Sequence, residues 1–273
     1  MSIWICPVCS GILSEKGRSL VCEKGHCFDM AKSGYVNLLP VARKKTKNPG
    51  DNSLMVGARR SFLSHGYYKK MSDKLCDIIC SFMNDGNVLL DAGCGEGYYT
   101  KNVSDALCEN GINAEIYGVD IAKCAADAAA KSCKNAGFAV GSVFHLPAFD
   151  ESCHVLMSLF APYCGSEFSR VLKPNGKMVL VIPGKTHLWG LKKAVYDTPY
   201  ENEVQDYALD NFEFLGTEKV SYEIFLDNSK DIQDLFSMTP YYYKTGRQEH
   251  SRLEALRELH TEVSFEILQY KKK

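Results

Sequence analysis

The chain has 273 residues, 45% hydrophobic and 24% charged, enough for one sizeable domain plus an appendage. No run approaches the roughly 18 apolar residues that a membrane span needs, and Met1–Pro7 lacks the basic head and apolar core of a secretion signal, so a cytoplasmic protein is expected. The net charge of −1 does not suggest a uniformly basic nucleic-acid binder, but the charge is uneven: residues 32–70 carry nine Lys/Arg against Asp51 alone, +8, leaving 23 basic against 32 acidic residues elsewhere, −9. Twelve cysteines without a secretion signal argue against a disulfide framework. Most, such as Cys76 and Cys80 at helical spacing, read as small core residues.

The first segment supplies the exception. Cys6 and Cys9 form a C-x-x-C knuckle, and after twelve intervening residues come Cys22 and His26, with Cys27 beside it. Two such pairs around a hairpin-like stretch suit tetrahedral zinc with closed coordination, the fourth ligand being His26 or Cys27. A segment this short scarcely buries a core, so metal binding would supply much of its folding free energy. With four protein ligands the zinc is structural rather than catalytic. The basic block follows, with Arg43, Lys44, Lys45 and Lys47 and then Arg59 and Arg60 as candidate phosphate contacts; its alternative reading is a solvated linker face. Gly50-Asp51 reads as a turn, Arg59-Arg60 as part of a short helix, and Lys70–Met83 as an amphipathic helix with Met71, Leu75, Ile78, Ile79 and Phe82 on one face.

Val88–Thr100 (VLLDAGCGEGYYT) is the centre of the chain. A short apolar run closed by Asp91 and by Gly93, Gly95 and Gly97 predicts a buried parallel strand turning into a helix, its glycines exposing backbone N–H groups to a ligand. The third glycine comes one residue too early for the dinucleotide pattern G-x-G-x-x-G, Tyr98 holding that slot, and an acid at the strand end suits an ammonium better than a pyrophosphate. D-x-G-x-G-x-G resembles the first motif of class I S-adenosylmethionine-dependent methyltransferases. A second strand, Glu115–Val119, ends in Asp120, placed to accept both ribose hydroxyls or, alternatively, to cap the next helix.

Farther on, CAADAAAKSCKNA predicts a crossover helix and Phe138–Ser142 a third strand. HLPAFDES resembles the loop near an adenine ring, with Ser142 to His145 at its start, and HVLMSLFAPY reads as the fourth strand and its exit. Ala161-Pro162 lie where base methyltransferases place a substrate-facing loop, and neither side chain can remove a proton. Asn175-Gly176 predicts a turn before a fifth strand, Lys177–Ile182, which Pro183-Gly184 break. LKKAVYD then predicts a helix, Phe212–Phe225 a β-rich run, Gln248–Leu259 a helix and Ser264–Tyr270 a final antiparallel strand. Tyr241, Tyr242 and Tyr243 could stack on bases, though packing is the commoner use of such residues.

FDMAKSGYVNLLP, NPGD, ARRSFLSHGYY, DAGCGEGYYT and PGKTHLWGLK, in that order, resemble the RlmA family of 23S ribosomal RNA guanine-N1 methyltransferases over most of the chain. The resemblance implies an α/β fold: a small N-terminal zinc domain (residues 1–36), a basic linker with lead-in helices (37–84), and a class I methyltransferase domain with a seven-stranded Rossmann-like sheet (85–273). It implies zinc on Cys6, Cys9, Cys22 and His26, favouring His26 over Cys27. It adds Tyr68 and His187 as cofactor neighbours, with Gly95-Glu96 as the central binding pair, and a homodimer acting on a ribosomal RNA hairpin. His154 stands where the family has an acid, and the change is expected to touch a supporting position rather than abolish activity.

The function so implied is methyl transfer from S-adenosylmethionine to N1 of a guanine in a hairpin loop, with no membrane partner. Guanine N1 carries a proton that a base or water must take; His187 is in position, Glu96 and Asp120 are occupied with cofactor, and no catalytic residue is assigned. Two alternatives account for less of the sequence. A small-molecule methyltransferase gives no reason for the zinc knuckle or the +8 block, and an RNA-binding module with a vestigial pocket gives none for the intact Asp91, glycines and Asp120.

Overall fold

The computed structural model describes residues 2–43, 49–203, 207–243 and 245–273. The amino-terminal segment forms β1 (Leu13–Lys16), β2 (Ser19–Cys22) and β3 (Cys27–Asp29), a three-stranded antiparallel sheet in that order. Gly17, at φ 65°, supplies the left-handed residue of the tight turn between the first two. Next comes β4 (Val36–Asn37), and then α1 (Ser53–Ser64), whose first turn is capped by Asn52 accepting from the Met55 N–H at 3.0 Å. The amphipathic run becomes α2 (Lys69–Phe82), burying Met71, Leu75, Ile78 and Ile79 as its spacing predicts.

The chain then alternates: β5 (Val88–Ala92), α3 (Tyr98–Glu109), β6 (Glu115–Asp120), α4 (Lys123–Ser132), β7 (Ala136–Val140), β8 (Cys153–Leu159), α5 (Gly165–Val171), β9 (Leu172–Pro183), α6 (Trp189–Val195), β10 (Phe212–Leu226), α7 (Ser229–Ser237), α8 (Arg247–Ala255) and β11 (Leu259–Lys272). The large sheet runs β10-β11-β9-β8-β5-β6-β7-β4. From β4 to β9 the neighbours are parallel, while β11 lies antiparallel to both β9 and β10. Seven strands are those expected; the eighth, β4, is two residues of the amino-terminal segment laid along β7. Chain order reverses between β5 and β8, so the crevice at their carboxyl ends is the natural ligand site.

Strand alternation divides the core in two. Leu89, Val155, Val179 and Ile267 face α2, α3 and α6, whereas Leu90, Leu156, Met178 and Leu268 face the other way. A parallel sheet needs both faces covered. The connection from β7 to β8 contains no helix, and its place is taken by Ile3, Trp4, Leu13 and Leu20 of the amino-terminal unit, with Phe168 and Val171 of α5 beside them. Trp4 packs edge-on against Tyr117 at 5.2 Å, and the Ile5 N–H donates to the Pro147 carbonyl at 3.0 Å. The expected division at residues 36 and 37 falls inside β4. No helix among the described residues is long and apolar enough to cross a membrane.

Several boundaries differ from expectation. The third strand starts at Ala136, not Phe138, because Gly137 belongs to it: a Cβ there would stand 3.0 Å from the Tyr117 ring. The fifth strand starts at Leu172 and absorbs Asn175-Gly176 as an irregularity, with Asn175 at φ 62°. The last helix ends at Ala255, and Leu259, placed in it by sequence, opens β11.

Candidate metal centre and cofactor cleft

At the tip of the amino-terminal unit, one ligand atom each from Cys6, Cys9, Cys22 and His26 lies within 4.8 Å of the others. A tetrahedral zinc with ordinary bond lengths requires edges of about 3.7 Å between sulfurs and about 3.5 Å between sulfur and nitrogen. Cys9 Sγ and Cys22 Sγ are 3.7 Å apart, and His26 Nδ1 lies 3.5 Å from Cys6 Sγ and 3.3 Å from Cys22 Sγ. Soft thiolates plus one imidazole, at these separations, fit a structural zinc with no open position. Cys27 is exposed on β3 and stands outside the group.

The second site lies at the carboxyl ends of β5 and β6. Gly93 has φ 92°, and a Cβ there would fall 2.4 Å from the Cβ of Ala161, so only glycine lets the β8 exit pass against the loop. Gly97, in the left-handed region at φ 85°, starts α3, and a Cβ there would meet Ala129 at 2.8 Å. Gly95 lies between them, its N–H donating to Asp120 Oδ2 at 3.0 Å, while Asp120 Oδ1 accepts from the Ala122 N–H at 2.7 Å. Asp120 thus ties the glycine loop to the start of α4. Each of its oxygens keeps a further lone pair for a hydroxyl.

Asp91 is buried; its Oδ2 accepts from Thr100 Oγ1 at 2.6 Å, and its Oδ1 has no hydrogen-bond partner among the described residues. Burial pushes this carboxyl up to about 7, against the Thr100 bond and with help from Asp120 and Glu96. An unpartnered oxygen on a buried acid calls for a cation. Glu96 is buried as well, and burial raises it against the pull of Arg59.

Arg59, singled out by sequence as a phosphate contact, sits among these acids. Its Nη1 pairs with Asp51 Oδ2 at 2.5 Å and lies 3.8 Å from where a Gly95 Cβ would be, and its Nη2 reaches the Met238 carbonyl at 3.5 Å. Its charge is offset by Asp51, Glu96 and Asp120 together. Arg60, by contrast, is exposed on α1. Lys44, Lys45 and Lys47 lie outside the described residues, as does the side chain of Arg43.

Tyr68 and His187 lie side by side: Tyr68 Oη is 3.5 Å from His187 Nε2, both are buried, and Phe265 packs edge-on to Tyr68 and tilted against His187 at 4.8 Å. The Ser264 N–H donates to His187 Nδ1 at 3.2 Å, which assigns the ring proton to Nε2. Burial pulls this imidazole down to about 3. A neutral ring whose Nδ1 is taken and whose Nε2 carries the hydrogen donates, so the position that sequence offered as a proton acceptor is unsuited to that task. Beyond Asp120, Ser142 and His145 close a tight turn, the His145 N–H donating to the Ser142 carbonyl at 3.0 Å.

Two further expectations resolve away from the cleft. His154 lies at the opposite end of the sheet, where its Nδ1 accepts from the Val88 N–H at 2.9 Å and Lys173 Nζ stands 3.0 Å from Nε2. A carboxylate would accept from both donors and an imidazole from one, which makes this a scaffold position. Tyr241 and Tyr242 pack, the first against Tyr196 and the second against Phe236. Sequence reading missed Asp51, Thr100, Tyr99, Phe160 and Phe265. Tyr99 and Thr100 had a local signal, standing in the first turn of the helix after the glycines.

Family models match both units of the chain. The family model for the N-terminal zinc ribbon of RlmA matches residues 4–47, and a methyltransferase-domain model matches residues 83–231. A 23S rRNA (guanine(748)-N(1))-methyltransferase of Streptomyces fradiae is 31% identical over 82% of this chain and 80% of that protein. YxjB of Bacillus subtilis, provisionally named a 23S rRNA (guanine-N(1)-)-methyltransferase, is 30% identical over 98% of this chain and 96% of that protein. Among solved structures, the YcgJ protein of Bacillus subtilis aligns with a TM-score of 0.49 at 17% identity, over 72% of this chain and 97% of that one. With both units matched in place and the likeness to YxjB running nearly end to end, the chain belongs to the RlmA family of 23S rRNA guanine-N1 methyltransferases.

Proposed function

We propose that this protein methylates N1 of one hairpin-loop guanine in 23S ribosomal RNA, using S-adenosylmethionine. The observation that carries the cofactor side is the unpartnered Oδ1 of buried Asp91 beside three left-handed glycines, a receptor for an ammonium next to bare backbone N–H groups. Asp91 takes the amino group of the cofactor's amino-acid end, Asp120 the ribose hydroxyls, Gly95-Glu96 the loop side, and Tyr68 and His187 the opposite wall. When bound, the cofactor supplies an electrophilic methyl group for in-line displacement by N1, releasing S-adenosylhomocysteine. The chain's own contribution is positioning, in a cleft whose acids match a positive charge. The N1 proton passes to water, because His187 donates at Nε2 and accepts at Nδ1 from Ser264.

The substrate side rests on the names of the relatives and on the basic block at residues 32–70, which gives the RNA phosphates a cationic neighbour. Loop guanines are unstacked easily enough to enter such a crevice. A homodimer is part of the same reading, and light scattering should return twice the chain mass of 30.5 kDa. The test of function is transfer of label from S-adenosylmethionine to protein-free large-subunit ribosomal RNA, with the base mapped by a reverse-transcription stop. One stop at one loop guanine is expected. Cofactor and zinc bound with no label in RNA would overturn the reading.

A further inference from the structure

The carboxyl end of β8 holds a residue in a conformation its type avoids. Phe160 has φ 53°, in the left-handed region where a bulky side chain is a genuine outlier. The backbone is fixed there from both sides: the Phe160 N–H donates to the Val181 carbonyl at 3.0 Å, and the next residue, Ala161, presses against Gly93 of the cofactor loop. Glycine or asparagine would take this conformation at lower cost, so the ring itself is what such a site retains.

The ring's surroundings indicate its use. Phe160 stands 6.4 Å from Tyr99, in the first turn after the glycines, and 5.9 Å from Phe265, which in turn packs on Tyr68 and His187. The two walls of the cofactor cleft therefore meet at this ring. Phe265, Tyr68 and His187 are buried, whereas Phe160 is 46% exposed, at the crevice where strand order reverses. An open aromatic face held rigidly beside the methyl-donor loop is a stacking platform for a flat, unpaired base.

We propose that Phe160 is the surface on which the target guanine stacks, holding its N1 edge toward the methyl group. This rests on the RNA-methylation reading above. The strained backbone is what turns the ring away from the core and out into the crevice, so a loss in folding free energy is exchanged for a positioned base. Stacking recognises every base equally well; it holds the base and leaves the choice of guanine to other contacts.

The experiment compares the full-length wild type with Phe160→Gly, Phe160→Asn and Phe160→Tyr, by label transfer to protein-free large-subunit RNA, calorimetric affinity for S-adenosylhomocysteine, and thermal unfolding. Gly and Asn both suit the left-handed backbone, so unfolding midpoints should stay within a few degrees of wild type. Their kcat/KM for RNA should fall about 5- to 150-fold, the range of one lost base–aromatic stack, with cofactor affinity within about twofold. Phe160→Tyr should keep most of the activity. The salt dependence of the RNA KM should not change, since no phosphate contact is removed. An active wild type with Gly and Asn variants equally active overturns the proposal alone, and cofactor affinity falling in step with activity overturns it by making the ring a cofactor wall. An inactive wild type sinks the functional reading and this proposal with it.

Discussion

Two clusters of titratable side chains organise this molecule, and they differ in what compensates their charge. Cys6, Cys9, Cys22 and His26 converge within 4.8 Å with no basic side chain bonded to them among the described residues. Such a set has a charge deficit that only an ion can fill, and with four ligands it encloses that ion completely. Asp91, Glu96 and Asp120 also converge, but Arg59, held by Asp51, lies near Glu96 and Asp120. The resident cation keeps the acids tolerable when the cleft is empty, while Asp91 Oδ1 stays unpaired. The first group suits a permanent occupant. The second suits one that arrives, reacts and leaves many times.

The largest effect should come from breaking the first group. Removing zinc by chelation, or Cys22→Ser, should unfold the amino-terminal unit, uncover the sheet face over Leu90 and Leu156, and lower the unfolding midpoint by about 10 °C or more. Metal analysis should return one zinc per folded chain; a zinc-free chain that melts normally would refute the comparison. Asp91→Asn comes next, with a loss of about 10- to 150-fold in affinity for S-adenosylmethionine, the value of one charge-assisted hydrogen bond of about 1.5–3 kcal/mol. Because this acid is raised to about 7 when folded, it keeps its proton until the pH nears that value while the unfolded chain releases it near 4, so stability falls as pH rises from about 4 to 7. A cation reverses that cost, so calorimetric affinity should climb between pH 6 and 7.5 in the wild type and stay flat in Asp91→Asn.

Arg59→Met should act more mildly, weakening cofactor binding about 3- to 10-fold, because Glu96 and Asp120 lose a positive neighbour. If Arg59 instead touched phosphate, the substitution would flatten the salt dependence of RNA binding and leave cofactor affinity alone. The smallest effect concerns His187. Its imidazole is neutral down to about 3 in the folded chain, whereas the unfolded chain takes up that proton near 6.5, so stability declines as pH falls through this window. His187→Gln should lessen that decline in thermal melts, and the pH profile of kcat should show no limb assignable to His187.

What could be read from sequence follows the same division. The zinc ligands and the glycine loop each arise from residues close together in the chain, so type and spacing reveal the chemistry before any fold is known. Asp120 was legible for a related reason, since a strand end a fixed distance onward is a topological constant. Arg59 was legible as a charge but not as a partner, because Asp51, Glu96 and Met238 meet it only through tertiary packing. Phe160 was legible only as a neighbour of the Ala161-Pro162 loop, with no sign of its backbone conformation, and Phe265 only as an alternating strand residue more than a hundred positions away. Nor could sequence foretell that Ile3, Trp4 and Leu20 would cover a sheet face, which depends on a helix being absent between β7 and β8.

That substitution of a metal unit for a crossover helix has a consequence for synthesis. Ile3, Trp4, Leu13 and Leu20 leave the ribosome well before the strands they cover, and their cluster also contains Leu268 and Tyr270, roughly 250 residues later, a separation that makes closure slow. Zinc can order the knuckle while its apolar side still lacks partners, leaving a metallated, sticky fragment on the nascent chain. Interrupted translation would then yield not an unfolded peptide but a half-built surface, one for chaperones to shield until the last strand arrives.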